Sequence, residues 1–219
     1  MKRQKNKKEV GSLGKLRKRI DGIDIEIQQL IAERAEIAQA IGAEKGLTKT
    51  SEHYRPEREA QVLREVVKRN NGPLRDDEMV RLFRELMSAC LATEEPLKVG
   101  YLGPEGTFTQ TAVLKHFGHS VRALSLTSID EVFHEVESGA ADFGVVPVEN
   151  SIEGAVNNTL DMFIVSPLRI CGEVELRIRQ HLMGRMSKIS QILRVCSHPQ
   201  SMAVSYTHLR AHETREDRG

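Results

Sequence analysis

The chain has 219 residues, a formal net charge of +1 and 39% hydrophobic residues, enough to bury a core in one large or two small domains. Its balanced charge and low aromatic content (4%, without Trp) argue against a nucleic-acid-binding surface. Its three dispersed cysteines argue against a zinc site or a disulfide framework and favour a reducing, cytoplasmic compartment. Residues 1–11 are basic and no apolar stretch follows them, so we expect a flexible arm rather than a signal peptide or membrane anchor.

Residues 12–95 are predicted to form a domain of three helices. Their expected limits are about 12 to 44, Pro56 to the turn at 70–73, and 76 to just before Pro96. The side chains of Asp76 and Asp77 can cap the third helix. The first helix carries an apolar seam at alternating spacings of three and four, which is typical of coiled coils. The seam consists of Leu13, Leu16, Ile20, Ile23, Ile27, Leu30, Ile37 and Ile41.

One position of this seam is a cation. Arg34 stands between Leu30 and Ile37, where the spacing calls for an apolar residue. Burying a guanidinium costs on the order of several kcal/mol unless an anion neutralises it, and no seam position holds an acid. The pattern therefore suggests an anionic ligand bound against this helix. Alternatively, Arg34 extends to solvent or pairs with a carboxylate on another helix.

The spacing of the basic residues on the first helix favours a dimer. Arg34 and Lys45 lie on one face, because eleven residues make about three turns. Arg17 lies about 25 Å from Arg34 along the axis, so one small anion cannot contact both within one helix. In an antiparallel pair of helices, Arg17 of one copy can approach Arg34 of the other. We therefore expect a homodimer, which would also bury the seam.

After residue 97 strands and helices alternate, which predicts an α/β domain with a mainly parallel sheet. The predicted strands are 97–102, 121–126, 142–148 and a long region at 168–183. The predicted helices are 107–117, 128–139, which begins with the capping box Ser128–Glu131, and 154–164. Residues 204–219 have no useful periodicity and few apolar side chains, so we expect a poorly ordered tail.

The helical part resembles the all-helical chorismate mutases over about residues 13–95. The resemblance rests on Leu16-Arg17 with Ile20 and Asp24, Ala32-Glu33-Arg34, Lys45, Arg55-Pro56-Glu57-Arg58-Glu59 and Arg81-Leu82-Phe83. It implies an intertwined three-helix homodimer with two equivalent sites that convert chorismate to prephenate. This pericyclic reaction requires positioning and charge stabilisation, and we expect neither a metal nor a cofactor.

The resemblance also implies a role for each matching residue. Arg34 and Arg17 of the partner subunit would bind the two substrate carboxylates, with Arg58 in the same pocket. Lys45 would bind the ether oxygen, and Glu59 the ring hydroxyl.

Glu94 departs from the family, which often has a glutamine there that donates to the ether oxygen. A protonated carboxyl can donate in the same way, whereas an ionised one would repel the dianionic substrate. Alternatively, Glu94 turns outward and only ends the helix.

Residues 97–203 resemble the first part of a prephenate dehydratase domain. The matching segments are Gly103–Phe108, Gly144–Ser151 with Glu153–Gly154, Thr159–Asp161 and Ser197–Gln200. Together the two parts resemble the bifunctional chorismate mutase–prephenate dehydratases of phenylalanine biosynthesis. The resemblance implies two α/β lobes, like those of periplasmic binding proteins, with prephenate between them.

The candidate substrate-binding residues of this second domain follow the ends of strands. Thr107 begins a helix whose free amides can bind a carboxylate. Glu149, Asn150 and Ser151 come just after a strand, where α/β clefts place their ligands. The family match adds Ser197 as a pocket residue. Alternatively, these residues serve only the turns and the helix cap.

The chain departs from the dehydratase pattern near its end. The family's later Thr-Arg-Phe motif, whose threonine is thought to assist loss of the ring hydroxyl, is absent, since Thr214-Arg215 is followed by Glu216. We expect this chain to lack the phenylalanine-sensing domain as well. We expect residues 204–219 to be foreign, from a cloning or sequencing join on a truncated gene, or else a divergent tail. We therefore expect the dehydratase to be inactive in this chain.

Two other interpretations remain at this stage. The chain could be a non-catalytic dimeric module that binds aromatic-pathway anions, without turnover. It could also be a DNA-binding regulator, although the unbroken first helix and the balanced charge argue against a helix-turn-helix.

Overall fold

A computed structural model describes residues 2–44, 54–93, 95–150 and 154–178, with 183–184, 192, 194 and 196. The chain begins with three helices, α1 (Lys2–Glu44), α2 (Pro56–Arg69) and α3 (Asp76–Leu91). Helix α1 thus includes most of segment 1–11, for which we expected a flexible arm. The candidate residues Lys45, Glu94, Ser151 and Ser197 and the segment 204–219 lie outside the described residues.

The apolar seam of α1 is not covered within one chain. Helix α1 has 43 residues and contacts α3. All eight apolar side chains of the seam are nevertheless exposed, from 44% for Ile23 to 63% for Leu30. In the described part of the chain, the longest helix therefore keeps an open apolar face.

Helices α2 and α3 are joined by a short connection that Asn70 closes. Its side-chain amide donates to Leu74 O (2.9 Å) and to Asp76 Oδ1 (2.7 Å). Helix α2 begins at Pro56, whose fixed φ suits a first turn. The N-cap of α3 is Arg75, without a side-chain hydrogen bond, so the predicted capping by Asp76 and Asp77 is wrong. These aspartates lie in the first turn, where the helix dipole favours negative charge.

The second part of the chain is built on a three-stranded parallel sheet. Its elements are β1 (Lys98–Leu102), α4 (Phe108–Phe117), β2 (Arg122–Leu126), α5 (Ile129–Glu137) and β3 (Phe143–Val145). The strand order is β2-β1-β3, which confirms the predicted α/β character with a parallel sheet. In the central strand, the side chains of Val99 and Tyr101 are fully buried. They form a core cluster with Leu97, Val113 and Phe117, and Tyr54 and Leu91 of the helical part pack against it.

Helix α5 begins with the capping box that the sequence predicts. Ser128 Oγ accepts from the backbone N–H of Glu131 (3.1 Å). The Glu131 carboxylate accepts from the backbone N–H and the hydroxyl of Thr127, one residue before the expected partner. The Ser128 side chain thus satisfies one free donor of the first helical turn, and the Glu131 side chain ties the preceding residue to the helix start.

The chain after β3 differs from the prediction. A small antiparallel pair, β4 (Glu149–Asn150) and β5 (Gly154–Ala155), precedes α6 (Asn157–Val165). Over residues 168–178, the described part of the strand predicted at 168–183, the prediction is wrong, since these residues contain no strand. A strand needs a neighbour for its backbone groups, and the described residues place none beside this segment. Its β-rich composition alone therefore does not make it a strand.

Candidate functional site

A cavity of about 370 Å³ lies among the three N-terminal helices. Helix α1 contributes Arg34 and Gln39, the start of α2 contributes Arg55, Arg58 and Glu59, and α3 contributes Ser88 and Cys90. The structure thus brings three of the predicted mutase residues, Arg34, Arg58 and Glu59, to the wall of one cavity. Sequence alone did not single out Gln39, Arg55 or Ser88 as lining residues.

Arginine side chains dominate the charge of this cavity. Arg34 is half-buried, and within the described residues no carboxylate forms an ion pair with it. Arg58 is exposed and donates to Gln61 Oε1 (2.7 Å), a neutral partner. Arg55 is exposed at the N-cap of α2. The helix start, which favours anions, and these guanidinium groups make the cavity suitable for a negatively charged ligand.

Glu59, the one carboxylate among the described residues of the cavity wall, is itself paired. Glu59 Oε1 accepts from Arg84 Nε at 3.2 Å, and the two side chains are only 15% and 24% exposed. Burial, together with the adjacent Glu59 carboxylate, raises the pKa of the Tyr54 hydroxyl far above its usual value. Burial also lowers the pKa of His116, although Glu59 acts against it. Glu59 therefore stands among a cation, a phenol and an imidazole that burial favours in the neutral form.

The α/β domain closes one side of this cavity. Leu97 and Phe117, which belong to the core of that domain, line the cavity. Tyr54 also lines it, and its ring lies 5.6 Å from the ring of Phe117 and 5.2 Å from that of Phe143 in β3. Sequence reasoning missed these residues because contacts between domains leave no local pattern.

Arg17 does not reach this cavity within one chain. It is exposed on α1, about 25 Å along the axis from Arg34. Lys45 and Glu94 follow the described ends of α1 and α3, and both lie outside the described residues.

The candidate residues of the second domain gather at one edge of the parallel sheet. Thr107 follows β1 and Glu149 follows β3, and these strands are parallel neighbours, so their carboxyl ends meet at the same edge. Glu149 is exposed, and Asn150 in β4 pairs with Gly154. Thr107 is the N-cap of α4, and its Oγ1 accepts from Gln110 N (3.5 Å). The hydroxyl of Thr107 therefore already serves as the cap of α4.

A buried threonine holds the loop that carries Glu149. Thr159 is fully buried, and its Oγ1 donates to Pro147 O (2.7 Å). The backbone N–H of Val156 donates to Val148 O (2.8 Å) in the same loop. These two bonds hold residues 147 and 148, immediately before Glu149, against the start of α6. They therefore fix the position of Glu149 in the chain that follows β3.

The described residues hold no group of three or more His, Cys, Asp or Glu side chains that could bind a metal ion. Among the described helices, none is long and apolar enough to cross a membrane.

Comparison with known proteins divides the chain in the same way. Residues 16–95 match the family model of type II chorismate mutase, and residues 99–217 match that of prephenate dehydratase. The second match includes most of segment 204–219, so the boundary at residue 203 stays a prediction. No solved structure gives a significant match to the chain.

Several curated relatives match both parts. The chain is 54% identical over 215 residues to a bifunctional chorismate mutase/prephenate dehydratase of Stutzerimonas stutzeri, covering 96% of this chain and 59% of the relative. It is 56% identical over 193 residues to one of Pseudomonas aeruginosa, covering 86% and 53%. A prephenate dehydratase of Bacillus subtilis is 38% identical over 120 residues, covering 53% of this chain and 42% of its own length.

The chain spans about half the length of the bifunctional relatives that it matches. Both family models match the chain. The chorismate mutase model matches the helical domain, and the prephenate dehydratase model matches the α/β domain that follows it. The chain therefore belongs to the prephenate dehydratase family, in the bifunctional arrangement in which a type II chorismate mutase domain precedes the dehydratase domain.

Proposed function

We propose that the cavity among α1, α2 and α3 is a chorismate mutase site that converts chorismate to prephenate. The observation that carries this proposal is the convergence of Arg34, Arg58 and the paired Glu59 on one cavity. Its volume of about 370 Å³ suits a small molecule, and its arginines suit a dicarboxylate. The names of the relatives that match both domains support the same activity.

The rearrangement itself requires little chemistry from the protein. Arg34 and Arg17 of the partner subunit bind the two carboxylates and hold the chain of the substrate over its ring. Lys45 stabilises the negative charge that develops on the ether oxygen as its bond breaks. Glu59 accepts a hydrogen bond from the ring hydroxyl and fixes the orientation of the ring.

The same proposal includes a homodimer formed through α1. The exposed seam, with side chains such as Ile23 and Leu30, gives each copy an apolar stripe of matching spacing. Antiparallel packing of two α1 helices would bury both stripes and bring Arg17 of one subunit towards Arg34 of the other. Each cavity would then be completed by its neighbour.

For the α/β domain we propose prephenate as the ligand, at the sheet edge that carries Thr107 and Glu149. Asn150, Ser151 and Ser197 would complete this site between two lobes like those of periplasmic binding proteins. Full dehydratases of this kind release water and carbon dioxide to give phenylpyruvate. We propose that this stretch of chain, which spans about half the length of its bifunctional relatives, does not carry out this step by itself. The two domains would serve phenylalanine biosynthesis in the cytoplasm.

Product analysis with the purified chain tests this function. Incubation with chorismate is expected to give prephenate without phenylpyruvate. Arg34→Gln is expected to lower kcat/KM by about 100-fold, because the variant loses a charged hydrogen bond to a carboxylate. Arg19→Gln, on an exposed position of the same helix, is the matched control and should keep wild-type activity.

Other outcomes discriminate among the alternatives. Chorismate that binds without conversion would indicate a binding module instead of an enzyme. Formation of phenylpyruvate would show that the dehydratase half is active. Full activity of Arg34→Gln would mean that the cavity described here is not the mutase site.

A further inference from the structure

The pairing of Glu59 with Arg84 has no counterpart among the residues assigned above to substrate binding. Arg84 lies on α3, twenty-five positions after Glu59, and the Nε–Oε1 distance is 3.2 Å. Both side chains are largely buried, at 24% and 15% exposed. An ion pair shielded from water in this way is stronger than one on the surface, and leaving either partner unpaired is unfavourable.

Arg84 acts on the cavity only through Glu59. Among the described residues that line the cavity, Glu59 is present and Arg84 is absent. Ser88, one helical turn after Arg84 on α3, does line it. Arg84 therefore lies behind Glu59 and is not part of the described cavity wall.

The ion pair leaves Glu59 able to accept further hydrogen bonds. The pair uses one lone pair of Oε1, and an ionised carboxylate has about four acceptor positions. Arg84 restricts the side-chain torsions of Glu59 and balances its negative charge beside a dianionic substrate. Without this cation, the Glu59 side chain would be free to rotate away from the position that the substrate hydroxyl requires.

The neighbouring groups do not replace Arg84 as the cation. His116 faces the pair from α4, and its pKa is lowered by burial, so it is neutral at pH 7. Tyr54 faces Glu59 from the segment before α2, and its raised pKa keeps its hydroxyl protonated. Of these three neighbours of Glu59, Arg84 alone carries a positive charge.

We propose that Arg84 is a positioning residue of the mutase reaction, which fixes the Glu59 carboxylate in the orientation that accepts the ring hydroxyl of the substrate. This proposal rests on the proposed function of the cavity. Family resemblance does not imply a role for Arg84. The proposal assigns it the role of orienting Glu59 during the reaction.

A double-mutant cycle with the 219-residue chain tests the proposal. Arg84→Gln is expected to lower kcat/KM for chorismate by about 10- to 100-fold, the usual effect of a displaced binding group. In the Glu59→Gln background the same change is expected to have little further effect, because its target is gone. Arg84→Lys should restore part of the activity, since it keeps the charge but not the planar geometry.

Arg81→Gln is the matched control, on the preceding turn of α3. Arg81 is 69% exposed and pairs with Glu78 at the surface, so its removal should leave kcat/KM unchanged. Thermal unfolding of every variant, followed by circular dichroism, reports general damage to the fold.

Two results would overturn the role of Arg84 while leaving the proposed function intact. One is wild-type kcat/KM in Arg84→Gln. The other is a loss of the same size in the Glu59→Gln background, because independent damage is additive. A wild-type chain without mutase activity would refute the proposed function, and this assignment with it.

Discussion

At the scale of single residues, the cavity among the three helices shows how arginine side chains from separate elements are brought together. Arg34 is placed by the seam of α1 and is detectable in sequence, because an arginine interrupts an apolar pattern. Arg58 and Glu59 were found through family resemblance, and the structure brings them to the same cavity. Sequence reasoning did not identify Arg84 or Tyr54. Both lie beside Glu59 only in the folded chain, and no local sequence pattern marks them.

Glu94 gives a prediction at this scale. We predict that mutase kcat/KM falls as pH rises through the pKa of Glu94, because only the protonated carboxyl donates to the ether oxygen. Glu94→Gln should flatten the profile, since an amide donates at every pH. Initial rates between roughly pH 5 and 8 provide the test. A flat wild-type profile over this interval would contradict the prediction.

At the scale of elements, the junction of α3 and α4 ties the two domains together. Gly118 ends α4 with φ +81°, and a Cβ added there would lie 2.6 Å from Ser88 Cβ on α3. Glu85 on α3 accepts from the backbone N–H of His119 (3.0 Å), and its other oxygen lies 2.7 Å from His119 Nδ1. The close approach of Gly118 to Ser88 and the hydrogen bonds between Glu85 and His119 therefore hold α3 against the end of α4.

Glu85 makes the stability of this junction depend on pH. Partial burial acts to raise the pKa of its carboxyl, but the hydrogen bonds from His119 hold it below its usual value. A lowered pKa in the folded state stabilises the fold above the unfolded-state pKa, and the gain is lost as pH falls through the lower value. Glu85→Gln should therefore reduce the free energy of unfolding at pH 7 by about 1 kcal/mol.

Denaturant unfolding of wild type and Glu85→Gln at pH 7, and again well below the usual pKa of glutamate, measures this effect. The difference between the two proteins should shrink at the acidic pH. Glu105→Gln, on an exposed turn, is the control and should change nothing. A difference that grows on acidification would show that the carboxylate does not stabilise the junction.

Elements with local signals were predictable from sequence, and elements that depend on partners were not. Helix α2 follows from Pro56 at its start, and α5 from the capping box at Ser128. The central strand β1 follows from a short apolar run between turns. The strand expected over 168–183 is absent from its described part, residues 168–178, because pairing depends on a neighbour that composition cannot reveal. The β4–β5 pair was missed because each strand has only two residues.

At the scale of the whole molecule, the proposed homodimer would account for both the open face of α1 and the distance of Arg17 from the cavity. A homodimer would cover the seam and supply Arg17 to the neighbouring site. In a two-fold dimer this exchange is reciprocal, so each subunit gives one arginine and receives one. The cavity of an isolated chain would then lack Arg17, the arginine proposed to bind one of the two substrate carboxylates.

Mixed dimers test this exchange. Arg17→Gln and Arg34→Gln homodimers should both be nearly inactive. A heterodimer of the two, purified through different tags after co-expression, has one site with both changes and one intact site. We predict about half of the wild-type activity per dimer. A heterodimer as inactive as its parents, or a chain that sediments as a monomer, would contradict the exchange.

Phe117 and Leu97 each belong to two structures at once, the core of the α/β domain and the wall of the proposed mutase cavity. A change of volume at either position alters both. Protein engineers who adjust the stability of the second domain there would also reshape the substrate pocket of the first. Transplanting the three helices alone into another protein would open that pocket on the side of Phe117, so the two domains cannot be optimised as independent modules.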